Sequence, residues 1–371
     1  MALHLVRPGV RTLALGFAVL IAACAEALDP GTSVVDDVMC TISTAEILNG
    51  GPGKDGIPAL SDPTLVSVGD PGADYLLPNE RVIAIMSATG PVAVPLQIMW
   101  WHEIVNMEVD GAELAITHCP LTGSSLAFDR GPIGGVEFGV SGLLYRNNLI
   151  MYDRSTSESL WPQMSRGARC GSQVGTDLTM VPVIEMTWEG WSTLHPDTRV
   201  ISSETGHTRS YEAYPYGNYR AEDNPSLLFQ MSAGVDTRRP PKERVLGLPT
   251  SEGGIAYPFG ELDLLGPVAA VEHPPGSDPF GPRVVFWDGA GRAAALYEAV
   301  LDGVDLSFEV SGDAIVDIAT GSEWGVDGVS TSGPNAGRRL EPVADAYVAY
   351  WFAWAVFEPR TAIWPNPGTE G

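Results

Sequence analysis

Short apolar runs separated by turn residues recur along most of this chain, and they predict β-strands. Most of these runs are bounded by glycine, proline, asparagine or aspartate, which is typical of strands joined by turns. The candidates are Arg81–Met86, Val92–Leu96, Ala112–Cys119, Ser124–Asp129, Leu143–Tyr152 and Arg199–Ile201. In Thr187–His195, by contrast, Trp188, Trp191 and Leu194 recur at every third position, which predicts a short helix. The expected fold class is therefore mainly β (α+β), with a few short helices.

Several parts of the sequence recur later in the same order, which predicts an internal duplication. The matched pairs are Glu80–Ile85 with Glu243–Leu248, Val92–Leu96 with Ile255–Phe259, Asp153–Trp161 with Asp317–Trp324, and Trp191–Thr198 with Trp354–Thr361. We therefore expect two related β-rich lobes. Residues 50–210 would form the first repeat, residues 211–242 a connector, and residues 243–365 a second, degenerate repeat. The second repeat lacks the histidines and the cysteine of the first, so the first is expected to carry the site.

The N-terminus has the features of an export signal. Arg7 and Arg11 precede the apolar run Thr12–Ala23, which is too short for a bilayer span of about 20 residues. The run ends in Leu20-Ile21-Ala22-Ala23-Cys24, which resembles the lipobox of bacterial lipoproteins. This resemblance predicts a signal peptide over residues 1–23, a lipid on Cys24 that anchors the protein to a membrane, and a tether over residues 24–49.

Cleavage by the ordinary signal peptidase after Ala25-Glu26-Ala27 is the alternative, because this triplet also has small residues at the required positions. Both alternatives predict an exported protein. The first places it on the periplasmic face of a bacterial membrane, and the second leaves it free in the periplasm or outside the cell.

The charge of the chain argues against one class of partner. The sequence has 46 acidic and 21 basic residues, a formal net charge of −25. Such an acidic surface repels phosphate backbones, so nucleic acid is not expected to bind. Surface charge of this sign also favours solubility, which is a sufficient reason for it.

Besides Cys24, the sequence has three cysteines: Cys40, Cys119 and Cys170. Export would place them in an oxidising compartment, where one disulfide and one free thiol is the simplest arrangement for an odd number. Cys119 lies in the segment richest in reactive side chains. We therefore expect Cys40 to pair with Cys170 and Cys119 to stay free.

The segment around Cys119 could bind a metal. His102-Glu103-Ile104-Val105-Asn106 nearly matches the His-Glu-x-x-His helix of zinc proteases, but its last position is asparagine, so we do not expect a protease. His102, His118 and Cys119 together offer imidazole and thiolate ligands, which suit copper and, as a lesser expectation, zinc. Adjacent residues of a strand point to opposite faces, so His118 and Cys119 share one ion only if Pro120 bends the chain between them.

Two alternatives need no metal. Cys119 could act as a catalytic nucleophile or redox thiol that His102 or His118 activates, with Glu103 as a catalytic partner that orients the imidazole. Alternatively, His102 packs beside the tryptophan pair and Cys119 is a small buried apolar residue. The sequence thus leaves three functions open: a copper-binding or redox module, a thiol-dependent enzyme, and a non-catalytic binding protein of the cell envelope.

Several segments together resemble one prokaryotic family. They are residues 51–60, Trp101–Asn106, Cys119–Gly123, Phe138–Tyr145, Tyr152–Arg154, Trp161, His195–Thr198 and Phe352–Trp354. The chain is identified by them as similar to the domain of unknown function 3179 family over roughly Gly50 to Trp364. The resemblance implies an exported or membrane-anchored protein and implies no particular activity. Many members of that family carry a second cysteine where this chain has Thr122, so a two-thiolate site is not implied here.

Overall fold

The computed structural model describes residues 39–231, 234–251, 253–273 and 281–365. The predicted signal peptide, Cys24 and most of the predicted tether lie outside these residues. The described residues are mainly β, with four α-helices of five to seven residues, which confirms the expected fold class. None of these helices is long and apolar enough to cross a membrane.

The elements of the first half alternate short strands with two helices. They are β1 (Ile47–Asn49), β2 (Leu60–Ser61), β3 (Leu65–Ser67), β4 (Arg81–Ile85), β5 (Val92–Pro95), α1 (Leu96–His102), β6 (Ile104–Val109), β7 (Ala112–Cys119), β8 (Ser124–Asp129), β9 (Phe138–Tyr145), β10 (Asn148–Asp153), β11 (Ser159–Pro162), β12 (Cys170–Gly171), β13 (Thr179–Val181), β14 (Ile184–Thr187), α2 (Trp188–Leu194) and β15 (Arg199–Ile201). Short 3₁₀ turns lie at Thr44–Glu46, Pro71–Ala73, Gly131–Ile133 and Gln163–Ser165.

The second half is built in the same way. Its elements are β16 (Arg244–Leu248), β17 (Ile255–Pro258), α3 (Phe259–Asp263), β18 (Val268–Glu272), β19 (Arg283–Asp288), β20 (Ala293–Glu298), β21 (Val300–Leu301), β22 (Val304–Asp305), β23 (Phe308–Ser311), β24 (Ala314–Asp317), β25 (Glu323–Trp324), β26 (Tyr347–Tyr350), α4 (Trp351–Phe357) and β27 (Ala362–Ile363).

The apolar run Leu143–Tyr152 is a hairpin and not a single strand. Arg146 and Asn147 connect β9 to β10, with φ angles of 53° and 65°. Two successive residues with positive φ are the requirement of a type I′ turn, which usually contains glycine. Here an arginine and an asparagine adopt this conformation, so the glycine that usually marks such a turn in a sequence is absent.

The two halves contain the same arrangement of four strands. In the first half the order is β14-β4-β5-β15, and in the second it is β26-β16-β17-β27. In both, the first three strands are antiparallel and the last one is parallel to its neighbour. A tryptophan helix precedes the last strand in each half.

Matching hydrogen bonds accompany this arrangement. Trp191 Nε1 donates to Thr198 Oγ1 at 2.9 Å, and Trp354 Nε1 donates to Thr361 Oγ1 at 2.8 Å. Each bond ties the helix to the segment that follows it, because the indole nitrogen is buried and needs an acceptor. The halves thus share their strand order and these contacts, while a duplication of the gene stays a prediction.

The two halves are joined by one strand pairing. Ser125 of β8 pairs with Val348 of β26, so strands of both halves belong to a nine-stranded sheet of the described chain. Two of the hydrophobic cores of the described residues mix the halves in this way. The α4 core contains α4, β16, β17 and β26 with β7–β11. The α2 core contains α2, β4, β5 and β14 with β19, β20, β24 and β25.

The connector crosses the α4 core without regular structure. Its described residues between β15 and β16 contain no helix or strand. Tyr214, Tyr216, Tyr219, Leu227, Phe229 and Met231 pack against the α4 core. Beside this region, the sulfur atoms of Cys40 and Cys170 form a disulfide, and Cys119 is the free cysteine of the described residues.

Candidate functional site

His118 and Cys119 end strand β7 and point to opposite sides of the sheet. The pairing of β7 with β8 is regular to its end, with His118 opposite Ser125 and Cys119 opposite Ser124. Pro120 turns the chain only after Cys119, so no bend separates the two residues. Because side chains alternate along a strand, the imidazole and the thiol lie in different environments.

The Cys119 thiol is fully buried in the α4 core. Its sulfur lies 3.7 Å from the carbonyl oxygen of Asn147, a weak hydrogen bond. Burial, and after it the charge of Glu103, raises the pKa of this thiol to about 11. The protonated thiol is therefore the form present at neutral pH, and this form is a poor nucleophile.

The Glu103 side chain is buried near Cys119 without a hydrogen-bond partner among the described residues. Glu103 follows α1 and has a φ of 58°, the left-handed conformation that costs energy for a residue with a side chain. Burial raises the pKa of its carboxyl from the usual 4.5 to about 8. A strained backbone and a strongly shifted carboxyl pKa are both features that cluster at functional sites.

The His102 ring ends α1 and uses both of its nitrogens in hydrogen bonds. Nδ1 lies 2.7 Å from the carbonyl oxygen of Pro58, and Nε2 lies 2.7 Å from the hydroxyl of Tyr211. A carbonyl only accepts, so Nδ1 carries the proton and Nε2 accepts from Tyr211. Burial lowers the pKa of His102 to about 4, so the ring is neutral. A metal at Nε2 would have to displace Tyr211.

The His118 ring belongs to a buried ionic network on the other side of the sheet. Its Nδ1 lies 3.0 Å from Ser125 Oγ, and Ser125 Oγ donates to Glu185. Glu185 is also paired with Arg81, which is almost fully buried. Burial lowers the pKa of His118 to about 4, against the opposite effect of Glu185. The imidazole is therefore a neutral part of a network that holds β8 against β14.

The structure does not bring the predicted metal ligands together. Within the described ranges, no three histidine, cysteine, aspartate or glutamate side chains are placed to hold a metal ion. His102, His118 and Cys119 each have a separate set of neighbours. Of the predicted site residues, the side chains of Glu103 and Cys119 interact through the charge of the carboxyl, and the backbone N–H of His118 donates to the carbonyl oxygen of Glu103 at 2.8 Å.

A network of buried polar side chains next to Cys119 was not predicted. Asn148 Nδ2 donates to Gln163 Oε1 at 2.8 Å and to Thr122 Oγ1 at 3.1 Å, and Gln163 Nε2 donates to Thr117 Oγ1 at 2.8 Å. Ser124 Oγ donates to Gln163 Oε1 at 2.6 Å. These bonds fix the turn between β7 and β8, since buried polar groups are costly unless paired. The amides of this network come from β10 and from the segment after β11, far from Cys119 in sequence.

A cleft of about 600 Å³, which we call the open cleft, lies between α2 and the β23–β24 hairpin. Thr193 of α2 and Trp324 of β25 line it. Four carboxylates also line it: Glu189, Asp288, Asp313 and Glu323. No lysine or arginine of the described residues lines the cleft, and none of the four carboxylates is ion-paired with another described residue. The lining of this cleft comes from separate segments of both halves, so no local pattern in the sequence predicts it.

The fold and these sites define a mainly β protein with a buried thiol and carboxyl on one side and an open acidic cleft on the other. Residues 54–361 match the family described as Protein of unknown function (DUF3179). The chain belongs to this family, which confirms the resemblance seen in the sequence. No curated protein and no solved structure matches the chain.

The burial of Cys119 predicts slow reaction with thiol reagents. In native protein at pH 7, we expect an aromatic disulfide reagent to react with Cys119 at least about a hundredfold more slowly than in denaturant, because the thiol is inaccessible and its pKa is raised. The absorbance of the released thiolate measures both rates, and a Cys119→Ala variant supplies the background. Rapid stoichiometric reaction of the native protein would contradict a buried Cys119.

The raised pKa of the Glu103 carboxyl predicts that the stability of the folded protein depends on pH. Its pKa is about 8 in the folded protein and near 4.5 when unfolded, so the stability of the wild type falls as pH rises from 4.5 to 8. A Glu103→Gln variant keeps the neutral shape of the protonated acid. It should be more stable than the wild type above pH 8, by on the order of 4 kcal/mol, and equally stable near pH 4.

Urea unfolding at pH 4, 6 and 8.5 tests this difference. Glu108→Gln is the matched control, because Glu108 is exposed on the neighbouring strand β6. If both variants show the same pH dependence as the wild type, the Glu103 carboxyl is not buried as an acid.

Proposed function

We propose that this protein is an exported, non-catalytic binding protein of the cell envelope that takes its ligand in the open cleft. The observation that carries the proposal is the cleft itself, a concave space of about 600 Å³ with a tryptophan among its lining residues. Such a volume and lining are typical of ligand sites. The export signal and the expected lipid on Cys24 support a position on the periplasmic face of a membrane.

The environments of the candidate catalytic groups support a binding role over catalysis. A thiol with a pKa of about 11 is ionised in only about one molecule in ten thousand at pH 7, and Cys119 has no imidazole as a hydrogen-bond partner. A general base must lie within hydrogen-bond distance of the group that it activates. His102 and His118 instead hold Tyr211 and Ser125.

The Glu103–Cys119 pair favours a second candidate function, a thiol-dependent enzyme. A buried carboxyl without a partner and a left-handed backbone are features that active sites often combine. In this alternative Glu103 would take the proton of Cys119, and the connector would have to move to admit a substrate. Fast thiol modification of native protein, as described above, would favour this alternative over the binding protein.

The copper hypothesis predicts that each chain binds one metal ion and that this binding requires Cys119. Ligation would require His102 Nε2 and Cys119 Sγ to lie within about 2.0–2.3 Å of one ion. The two atoms have separate neighbours, which argues against a shared ion. We therefore expect no stoichiometric metal after reconstitution with copper(I) or zinc and removal of excess ions by gel filtration. Elemental analysis of wild type and Cys119→Ala measures this. One equivalent bound to the wild type and absent from the variant would establish a metal site.

Filling the open cleft tests the binding function. A Thr193→Trp substitution places a large side chain in the cleft from an exposed position of α2. We expect compounds that raise the melting temperature of the wild type to have no effect on this variant, because their space is occupied. The measurement is a thermal-shift screen with amino acids, polyamines, sugars and short peptides.

The control for this screen is Thr208→Trp, since Thr208 is exposed between β15 and the connector and does not line the cleft. Compounds that stabilise both tryptophan variants equally bind elsewhere. That result, or a screen without any stabilising compound, would overturn the assignment of the cleft as the binding site.

A further inference from the structure

The α2 core and the α4 core are built from corresponding elements, so the open cleft beside α2 has a counterpart beside α4. In the α4 core, Leu121 lies in the turn from β7 to β8, and Asn147 lies in the turn from β9 to β10. The corresponding residues of the α2 core are Ala290, in the turn from β19 to β20, and Asp313, in the turn from β23 to β24. Ala290 and Asp313 both line the open cleft.

The connector fills the counterpart beside α4. Tyr219 donates from its hydroxyl to the carbonyl oxygen of Leu121 at 2.8 Å, and Asn147 Nδ2 donates to the carbonyl oxygen of Phe229 at 3.0 Å. Trp351 Nε1 of α4 donates to the carbonyl oxygen of Asp236 at 3.1 Å. An irregular segment of the chain thus lies between the two turns and the helix, held by its tyrosines and by its own backbone.

The described connector residues do not pack in the α2 core, where the corresponding space is open. The same turns, helix and strand are present there, but no described segment lies between them. Beside α4, this surface binds an irregular segment of the same chain. Beside α2, a corresponding surface is present without such a segment.

The charges of the two clefts differ in a consistent way. The four carboxylates of the open cleft, Glu189, Asp288, Asp313 and Glu323, correspond in the α4 core to Phe352, Cys119, Asn147 and Leu160. Each acidic position therefore has an uncharged counterpart. The connector residues 211–231 contain three acidic residues and one arginine, and they occupy the uncharged cleft. Charge complementarity then requires a basic segment in the acidic cleft.

We propose that the open cleft binds an irregular peptide segment of a partner protein that carries lysine or arginine beside aromatic residues. This inference rests on the binding function proposed above and names its ligand class. The aromatic side chains would pack on Trp324 and α2 as the connector tyrosines pack on the α4 core. The basic side chains would pair with Asp313 and Glu323 at the rim, where both carboxylates are exposed.

Two synthetic peptides test the proposal with the full chain. One has the sequence of residues 211–231, and the other carries the substitutions Glu212→Lys, Glu222→Lys and Asp223→Lys in that sequence. Titration calorimetry at low and high salt measures their binding. We expect the lysine-substituted peptide to bind one-to-one and more weakly at high salt, and the unsubstituted peptide not to bind, because surface charge pairs are screened by salt.

Charge reversal in the cleft should weaken this binding. The double variant Asp313→Lys/Glu323→Lys is expected to lower the affinity about tenfold, as two lost and reversed surface pairs would do. Glu309→Lys is the matched control, because Glu309 is exposed on the same hairpin and does not line the cleft. We expect it to change the affinity less than about twofold.

Three outcomes would overturn the peptide proposal: no binding of the lysine-substituted peptide, equal binding of both peptides, or equal weakening by Glu309→Lys. The Thr193→Trp screen separates this failure from failure of the proposed function. A compound that stabilises the wild type and not Thr193→Trp would leave the cleft as the binding site and make only the ligand class wrong. If neither peptide nor compound depends on the cleft, both proposals fail.

Discussion

The pairing of β8 with β26 is the contact on which the rest of the architecture depends. It places strands of the two halves side by side, and the cores that contain the tryptophan helices take strands from both halves. Each helix lies on strands of its own half, and the core around it is completed by strands of the other half. The halves are therefore expected to fold together, since burial of these large aromatic side chains is a main source of stability.

The strand alternation at the end of β7 divides the chemistry of the site. His118 enters a charged network with Glu185, while Cys119 enters an apolar core with Glu103. The two environments shift the pKa values so that His118, Cys119 and Glu103 are neutral at pH 7, while Glu185 stays ionised in its pair with Arg81. A largely neutral interior of this kind suits a rigid scaffold.

Local patterns in the sequence were sufficient for strands β4, β5, β7, β8 and β15, the short helix α2 and the recurrence of the tryptophan segments. Sequence could not show that the cores exchange elements between the halves, because strand pairing between distant segments leaves no local pattern. Tyr211 and Pro58 are far from His102 in the chain. The sequence therefore could not show that their hydrogen bonds occupy both nitrogens of the His102 ring. The Arg146–Asn147 turn lacks glycine and was missed for a different reason, since its conformation is imposed by β9 and β10.

The buried position of Cys119 has a consequence for how the covalent structure is reached. Under oxidising conditions, Cys40, Cys119 and Cys170 could form three different disulfides, and two of them would use Cys119. Cys119 lies inside the α4 core, whereas the disulfide of Cys40 with Cys170 of β12 lies outside it. Once the core has formed, Cys119 cannot attack that bond, because thiol exchange needs direct access of a thiolate to a sulfur. The folded chain thereby protects its own disulfide from rearrangement.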